Sequence, residues 1–245
     1  MTEDPFREFA AYYDRMIQEE PDRVEFFRTL FRKHGVKSVL DCACGTGNDL
    51  IMVHNFGLQV CGSDISKAML AQARKTLTKH QIEIPLKHLD FRELPQHYDQ
   101  RFEAVLCLTT SLPQLLEERE IGKALKSMRE VLKPKGILVL TQGLTDVQLK
   151  THVRFAPAVN TPEFSRIMVV DYYHEEYEVN VLDLGHTQDN DEFDVYGVRY
   201  RILLRDDYER LLRKTGYSRI EFYGDWNFKR YDKEESELLI VVAHR

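Results

Sequence analysis

The chain has 245 residues, a formal net charge of −6 and 43% hydrophobic residues. This length and composition suit one large α/β domain, or a core that carries an insertion. The acidic balance argues against a broad nucleic-acid-binding surface, and no apolar run approaches the length of a membrane span. Residues 1–5 lack a signal-peptide core, so we expect a cytoplasmic protein with no membrane contact.

The first predicted elements are helices. Residues 6–18 carry apolar and aromatic side chains at helical spacing. Pro21 and Asp22 begin a second helix, which ends at Gly35. The four cysteines, Cys42, Cys44, Cys61 and Cys107, indicate reduced, buried thiols. No Cys or His near Cys42 and Cys44 completes a zinc set, so no metal site is predicted.

The next stretch has the order strand, glycine turn, helix. Val39 and Leu40 end an apolar run typical of a buried strand, and residues 45–47 form a turn of small residues before a helix over 49–56. This order is typical of a nucleotide-type site in an open parallel sheet. A dinucleotide site usually has a third glycine where this chain has Leu50. Asp41 would repel a phosphate but suits the ammonium group of a methionine moiety.

A second acidic residue follows at the expected distance. Residues 59–64 read as a strand that ends in Asp64, where such folds hold ribose hydroxyls. The alternative is that Asp64 only caps a turn. Ser66 is a predicted helix N-cap. A third strand over 84–89 leads to Asp90 and Phe91, which are placed to bond and stack on a purine.

The remaining core elements follow in order. A fourth strand over 102–108 runs into residues 109–114, a helix over 121–132 is ended by residues 133–136, and a fifth strand covers 137–140. The β-rich runs 167–173, 176–182 and 193–203, with a turn at 189–191, suggest an antiparallel insertion or cap. A helix over 205–215 and strands over 219–223 and 238–243 complete the chain. We therefore expect a core in 1–150, a cap in 151–203, and 204–245 completing the core.

These motifs identify a family resemblance. The chain resembles class I S-adenosylmethionine (SAM) methyltransferases over nearly its whole length, and more narrowly glycine N-methyltransferase and its bacterial and archaeal relatives. The resemblance rests on residues 39–47, 63–70, 104–108 with Ser111, 132–136 and the C-terminal helix. It implies an α/β, Rossmann-like seven-stranded sheet with an antiparallel last strand. It also implies methyl transfer from SAM to a small-molecule acceptor, with an amine favoured and an O or C acceptor left open.

The resemblance and the strand ends together give a set of candidate site residues. The N-terminal helices form a lid, from which Tyr13 and Arg23 are the polar candidates; core packing and solvation are the alternatives. Tyr13, Thr110 and Ser111 are the candidates for positioning the acceptor, and packing or turn roles are equally open. The expected SAM contacts are Tyr13, Arg23, Asp41, Ala43, Cys44, Gly45, Gly47, Asp64, Ile65, Met69, Asp90, Phe91, Cys107 and Leu108.

Departures from the family pattern concern the acceptor. Thr109 and Thr110 stand where the family usually has Gly-Asn, and Gln114 replaces a histidine. Gly143 stands where relatives carry the arginine that holds the glycine carboxylate. Without that guanidinium, glycine loses its natural anchor, so we do not expect glycine as substrate.

The same residues bear on other functions. Nucleobase amino-methylases carry an acidic residue or Asn before Pro-Pro-aromatic after the fourth strand, which residues 108–112 do not match, so no nucleic-acid partner is expected. A non-catalytic SAM-binding or assembly protein stays open. The cap is expected to select substrate, with Phe155, Tyr172, Tyr173, Tyr177 and Tyr196 as a pocket wall. The alternatives are that these strands form a contact in a homo-oligomer or simply cover the edge of the sheet.

Overall fold

The computed structural model describes residues 6–7, 10, 13, 20–186 and 193–245. Most of the predicted helix over 6–18 and the predicted turn at 189–191 lie outside these residues. The described part folds around a seven-stranded sheet and a separate four-stranded sheet. None of its helices is long and apolar enough to span a membrane.

The seven-stranded sheet contains the apolar runs of the core. Its strands are β1 (Ser38–Asp41), β2 (Gln59–Asp64), β3 (Leu86–His88), β4 (Phe102–Cys107), β5 (Leu132–Gln142), β10 (Ile220–Tyr223) and β11 (Leu239–His244). Their order is β10-β11-β5-β4-β1-β2-β3. Strand β11 pairs antiparallel with both neighbours, while the other pairs are parallel. The predicted class I order with an antiparallel last strand is therefore confirmed.

Helices cover the two faces of this sheet, as a parallel sheet buried on both sides requires. They are α1 (Pro21–Lys33), α2 (Asn48–His54), α3 (Lys67–Lys79), the short α4 (Leu94–His97), α5 (Glu118–Glu130), α6 (Asp146–Thr151) and α7 (Arg205–Lys214). Helix α1 buries Phe26, Phe27, Leu30 and Phe31. The Ser66 hydroxyl caps α3 by accepting the Met69 N–H at 3.0 Å, as its N-cap prediction requires.

Leu50 explains how the turn does without a third glycine. Its side chain is fully buried, and it packs against Gly62 of β2. A Cβ added at Gly62 would lie 2.7 Å from Leu50 Cδ1 and 2.8 Å from Leu86 Cδ2. In this chain the glycine that lets α2 lie close to the sheet is therefore Gly62 of β2 and not a residue of the helix itself.

The second sheet has one strand more than the sequence predicted. It consists of β6 (Phe155–Asn160), β7 (Phe164–Tyr172), β8 (Glu176–Gly185) and β9 (Phe193–Arg201), antiparallel in that order. Strand β6 was missed because Pro157 and two alanines weaken its strand signal. Residues 133–136, expected to separate helix from strand, instead form an irregular bulge inside β5, where Phe102 pairs with Leu132 but Ala104 pairs with Ile137.

The two faces of the four-stranded sheet differ in burial. The inner face carries Tyr172, Tyr177 and Tyr200, whose rings stack in sequence with centroids 6.4 and 5.1 Å apart. Phe155 and Tyr173 lie on the outer face and are 63% and 49% exposed, so they do not belong to the tyrosine stack. Only part of the predicted aromatic wall therefore lies on one face.

A buried ion pair holds the inner face together. Arg166 donates from Nε and Nη2 to the two oxygens of Asp183 at 2.6 and 2.5 Å. Arg166 is 0% exposed, and the Tyr196 hydroxyl adds a hydrogen bond to Asp183 at 3.2 Å. Tyr196 therefore serves this ion pair. A buried charge that loses its partner is strongly destabilising.

The ion pair gives the first testable prediction. Asp183→Ala should lower the free energy of unfolding by about 3–5 kcal/mol, because it removes the carboxylate that pairs with the buried Arg166 guanidinium. The exposed cross-strand pair Arg154–Asp171 is the matched control, and Asp171→Ala should cost less than about 1 kcal/mol. Urea denaturation measures both losses. Equal losses in the two variants would contradict the assignment.

Candidate active site

The candidate site lies where three parallel strands end side by side. Asp41 of β1 pairs with Gly62 of β2 and with Leu106 of β4. The glycine turn after β1, Asp64 at the end of β2 and the turn after β4 therefore share the carboxyl edge of the sheet. Ligands of open α/β sheets bind at this edge.

The glycine turn presents bare backbone on one side. Gly45 has φ +51°, and a Cβ added there would meet nothing within 4 Å. Gly47 has φ +87°, and its added Cβ would lie 3.3 Å from Ala73 Cβ on α3. Gly47 therefore serves backbone conformation and packing, while Gly45 leaves open space in which a ligand can approach the main chain.

Asp64 is bound to this turn. Its Oδ2 accepts the Gly45 N–H at 2.8 Å, and its Oδ1 accepts the Ser66 N–H at 2.8 Å. The carboxylate is buried except for a small surface. It is thereby fixed at the mouth of the turn, where it could accept hydrogen bonds from vicinal hydroxyls.

Two further acids surround the turn. Asp41 is buried and accepts the Ala43 N–H at 3.2 Å. Burial raises the pKa of Asp41 well above its usual range, and the nearby Asp49 and Asp64 raise it further. Asp49 forms an ion pair with Arg23 of α1 at 2.5 Å. The edge is therefore strongly acidic, with Arg23 as a neighbouring cation, and it favours a ligand that brings positive charge.

Hydroxyl groups face the acids from the other side. The Tyr13 side chain is hydrogen-bonded to the Thr109 side chain, and Asp49 and Tyr200 are its neighbours. Burial raises the pKa of Tyr13 well above its usual value and that of Tyr200 to about 12. Both phenols therefore stay protonated near neutral pH. Tyr200 brings the inner face of the four-stranded sheet to the cleft.

The turn after β4 is strained. Thr109 and Thr110 have φ of +54° and +63°, a left-handed conformation that β-branched residues rarely adopt. The end of β5 holds it: the Thr109 N–H donates to Thr141 Oγ1 and the Thr110 N–H to the Thr141 carbonyl, both at 2.9 Å. The Gly-Asn of the relatives suits this backbone better, because glycine and asparagine tolerate positive φ.

Ser111 and Asp90 are engaged in local structure. The Ser111 hydroxyl donates to the Leu108 carbonyl at 2.7 Å, closing the turn. Asp90 accepts bonds from Arg92 on both carboxylate oxygens, and Arg92 also pairs with Glu120 at 2.5 Å. Burial alone would raise the pKa of Asp90, but the hydrogen bonds from Arg92 lower it below its usual value. Asp90 thus positions the turn that carries the half-buried Phe91.

The other predicted contacts fall into two groups. Cys44, Met69, Cys107 and Leu108 are buried in the core. Ala43 stays partly accessible, and Ile65, beside Asp64, is 53% exposed. An exposed isoleucine at this edge offers an apolar surface to a flat ring.

Sequence reasoning did not single out three residues near the cleft. Asp49 follows the glycine turn and could have been noticed as a third acid. Thr141 and Tyr200 gave no signal, because their positions depend on the pairing of β4 with β5 and on the path of the second sheet.

The strained turn yields a stability prediction. Thr109→Gly should raise the free energy of unfolding by about 0.5–1 kcal/mol, since it relieves the left-handed strain and glycine's extra unfolded-state entropy offsets only part of the gain. Thr109→Ala is the matched control, because it loses the same hydroxyl but keeps the Cβ. It should be no more stable than the parent in thermal denaturation. Equal stability of the Gly and Ala variants would show that the turn is unstrained.

Comparison with known proteins agrees with this geometry. A family profile described as a methyltransferase domain matches residues 39–136. The glycine/sarcosine N-methyltransferase of Aphanothece halophytica is 31% identical over 246 residues, covering 97% of this chain and 88% of that protein. The glycine N-methyltransferase of Homo sapiens is 33% identical over 136 residues, covering 50% of this chain and 46% of the other.

Solved structures share the fold. A SAM-dependent methyltransferase from Clostridium acetobutylicum superposes with a TM-score of 0.84 at 16% identity over 98% of both chains. A sugar N-methyltransferase from Streptoalloteichus reaches a TM-score of 0.76 at 21% identity over 97% of this chain and 92% of that one. With the glycine turn, the two strand-end acids and the strand order, these matches place the chain in a family: it belongs to the class I SAM-dependent methyltransferases related to glycine N-methyltransferase.

Proposed function

We propose that this methyltransferase transfers the methyl group of SAM to the nitrogen of a small amine bound between the glycine turn and the inner face of the four-stranded sheet. The observation that carries the proposal is the cleft itself, with acids around bare backbone on one side and the protonated phenols of Tyr13 and Tyr200 on the other. The curated relatives that match most of the chain are named as N-methyltransferases of glycine and sarcosine.

The residues present fit SAM. Asp64 would accept from the ribose hydroxyls, and Ile65 with Phe91 would flank the adenine. Asp41 would face the ammonium group of the methionine part, whose positive charge suits a buried carboxylate. Arg23, next to Asp49, would take the methionine carboxylate. Four predicted contact residues have buried side chains, so they would contribute to SAM binding only through their backbone groups and their packing. They are Cys44, Met69, Cys107 and Leu108.

The chain's part in the reaction is alignment and exclusion of water. SAM supplies an electrophilic methyl group on a sulfonium. The protein holds the acceptor in line with it, which needs positioning more than proton transfer. Tyr13 stays protonated and hydrogen-bonded to Thr109, so it positions the acceptor and does not act as a base. The acceptor amine must be unprotonated when it attacks the methyl group.

The charges near the cleft bear on the acceptor. Gly143 is exposed, and nothing lies within 4 Å of a Cβ added there. Arg154 and Arg199 pair with Asp171 and Glu176, with Arg199 over the Tyr173 ring of the outer face. Arg23 pairs with Asp49, and it is already assigned to the methionine carboxylate of SAM. We therefore propose an amine without a carboxylate as acceptor, and the hydroxyl-lined wall favours one that carries hydroxyl groups.

The four-stranded sheet has two proposed roles, one for each face. Its inner face, with the tyrosine stack that ends at Tyr200, would select the acceptor, as a cap over residues 151–203. Its outer face exposes Phe155, Phe193 and Val195. Exposed apolar side chains on a sheet support contact with a second copy of the chain. Residues 1–150 and 204–245 would together form the SAM-binding core.

An acceptor screen tests the function. With radiolabelled SAM, the purified chain should methylate hydroxylated amines such as amino sugars saturably, and glycine and sarcosine only poorly. Efficient saturable methylation of glycine would overturn the acceptor class, and transfer only to alcohols would overturn N-methylation.

Asp64→Ala should weaken SAM binding by about 1–3 kcal/mol, as expected for loss of a charged hydrogen-bonding group. The exposed Asp99→Ala serves as control, and unchanged SAM affinity in Asp64→Ala would contradict the ribose assignment.

A further prediction concerns Asp41. Because its pKa is raised in the fold, ionised Asp41 destabilises the ligand-free protein. That loss grows as pH rises from the usual Asp range through the raised pKa. Asp41→Asn keeps an oxygen for the Ala43 N–H but removes the charge. It should therefore raise the melting temperature of the ligand-free protein near neutral pH, with little effect at acidic pH, while weakening SAM binding about tenfold, roughly the worth of one hydrogen bond to a charged group.

Calorimetry and thermal scans at several pH values measure the two effects of Asp41→Asn. Asp99→Asn, at an exposed position, should change neither. A variant that loses stability at neutral pH, or that binds SAM as tightly as the parent, would contradict the role given to Asp41.

A further inference from the structure

Three potential metal ligands meet at the opposite edge of the core sheet from the candidate active site. They are His34 at the end of α1, Glu221 of β10 and His244 of β11. Each offers one ligand atom, and the three atoms lie within 4.8 Å of one another. His244 pairs with Ile137 in β5, whereas Gln142, at the active-site end of β5, pairs with Leu239.

The fold brings these residues together from distant parts of the sequence. Glu221 pairs with Val242, so His244, two residues further along β11, points to the same face of the sheet. His34 is the C-cap of α1, and its ring lies edge-on to that of His244 with centroids 5.1 Å apart. Neither histidine lies near a cysteine, so sequence spacing gave no signal of a metal site.

The Glu221 carboxylate is oriented by its neighbours. Its Oε2 accepts the Tyr223 hydroxyl at 3.0 Å and Arg219 Nη2 at 2.9 Å, while its Oε1 faces His244 Nε2 at 3.0 Å. Outer partners of this kind are typical of carboxylates that bind metals. Arg219 is 63% exposed, so solvent screens much of its opposing charge.

His34 supplies the independent observation. Its Nε2 is buried and has no hydrogen-bond partner among the described residues. Leaving a buried polar atom unpaired costs free energy, and such an atom in a native structure calls for an explanation, for example a bound ion. A histidine with an unpartnered ring nitrogen, next to two further potential ligands, is suited to bind a cation.

We propose that His34, Glu221 and His244 form a Zn²⁺ site of the His₂Glu type, with water as the fourth ligand. Nitrogen and carboxylate ligands lie about 2.0–2.2 Å from Zn²⁺ in tetrahedral geometry, so the ligand atoms must draw together to roughly 3.3–3.5 Å. The side chains must rotate to reach the ion, which replaces the hydrogen bond between His244 and Glu221. The ion then joins the end of α1 to β10 and β11.

This site is structural. It lies away from the SAM cleft, but α1 runs from the site to Arg23, which pairs with Asp49 beside the glycine turn. Because Zn²⁺ binds the folded protein, it should raise the melting temperature of the full chain. The affinity for SAM should differ less than about twofold between the Zn²⁺-bound and Zn²⁺-free chain. For comparison, a tenfold change in affinity corresponds to about 1.4 kcal/mol.

The test is a titration of the chelator-treated full chain with Zn²⁺ by calorimetry near neutral pH, with Mg²⁺ as the comparison ion. We expect saturable binding of one Zn²⁺ per chain, a higher melting temperature, and no binding of Mg²⁺, which prefers all-oxygen sites. Loss of a group that hydrogen-bonds to a metal ligand typically weakens metal binding by about 10–100-fold. Loss of a ligand should weaken Zn²⁺ binding by more than this in each of three variants, His34→Ala, Glu221→Gln and His244→Asn.

The matched control is His80→Ala, because His80 is also the C-cap of a 13-residue helix and is exposed. It should bind Zn²⁺ like the parent. Glu221→Gln keeps the shape of the side chain, so it tests the site even if a histidine variant fails to fold. Absence of saturable Zn²⁺ binding, or binding that His34→Ala and Glu221→Gln leave unchanged, would overturn the proposal. Visible absorption of Co²⁺ typical of tetrahedral coordination, lost in Glu221→Gln, would support it.

Discussion

The hydrogen bond from the Gly45 N–H to the Asp64 carboxylate joins the turn after β1 to the end of β2. It fixes the distance between bare backbone and a buried acid, and the rest of the cleft is arranged around that pair. Helix α2 can start close to the sheet because Gly47 adopts positive φ and Gly62 leaves room for Leu50. A change in either packing contact would move the turn relative to the acid. The site thus depends on core packing as much as on its polar groups.

The cleft contains two features that are energetically unfavourable in the ligand-free protein. Asp41 is buried in an acidic neighbourhood, and two threonines hold a left-handed turn. Residues kept in unfavourable states are a recurrent feature of functional sites. A cationic ligand compensates the first. The second is maintained by Thr141, so it sets the position of the Thr109 side chain beside Tyr13 whether or not a ligand is bound.

Much of the core was predictable because its signals are local. A strand, a glycine turn and an acid at the end of the next strand lie within one short segment, and their spacing alone indicates the cofactor edge. The features that the sequence did not predict depend on contacts between distant parts of the chain. Pro157 weakens the strand signal of β6, and the register between the strands decides which face of the second sheet is inner and which is outer. The ion pair of Arg166 with Asp183, the approach of Tyr200 and the meeting of His34 with His244 depend on tertiary pairing, which periodicity does not encode.

The position of β11 has a consequence for how the protein is made. This strand lies between β5 and β10, and its side chains are almost fully buried. Until residues 239–244 leave the ribosome, β5 has an open edge and β10 has no partner in the sheet. The cofactor edge, built from β1, β2 and β4, is complete in the chain long before then. Synthesis therefore passes through a stage in which the binding half exists with an unpaired apolar strand edge, the kind of surface that chaperones protect.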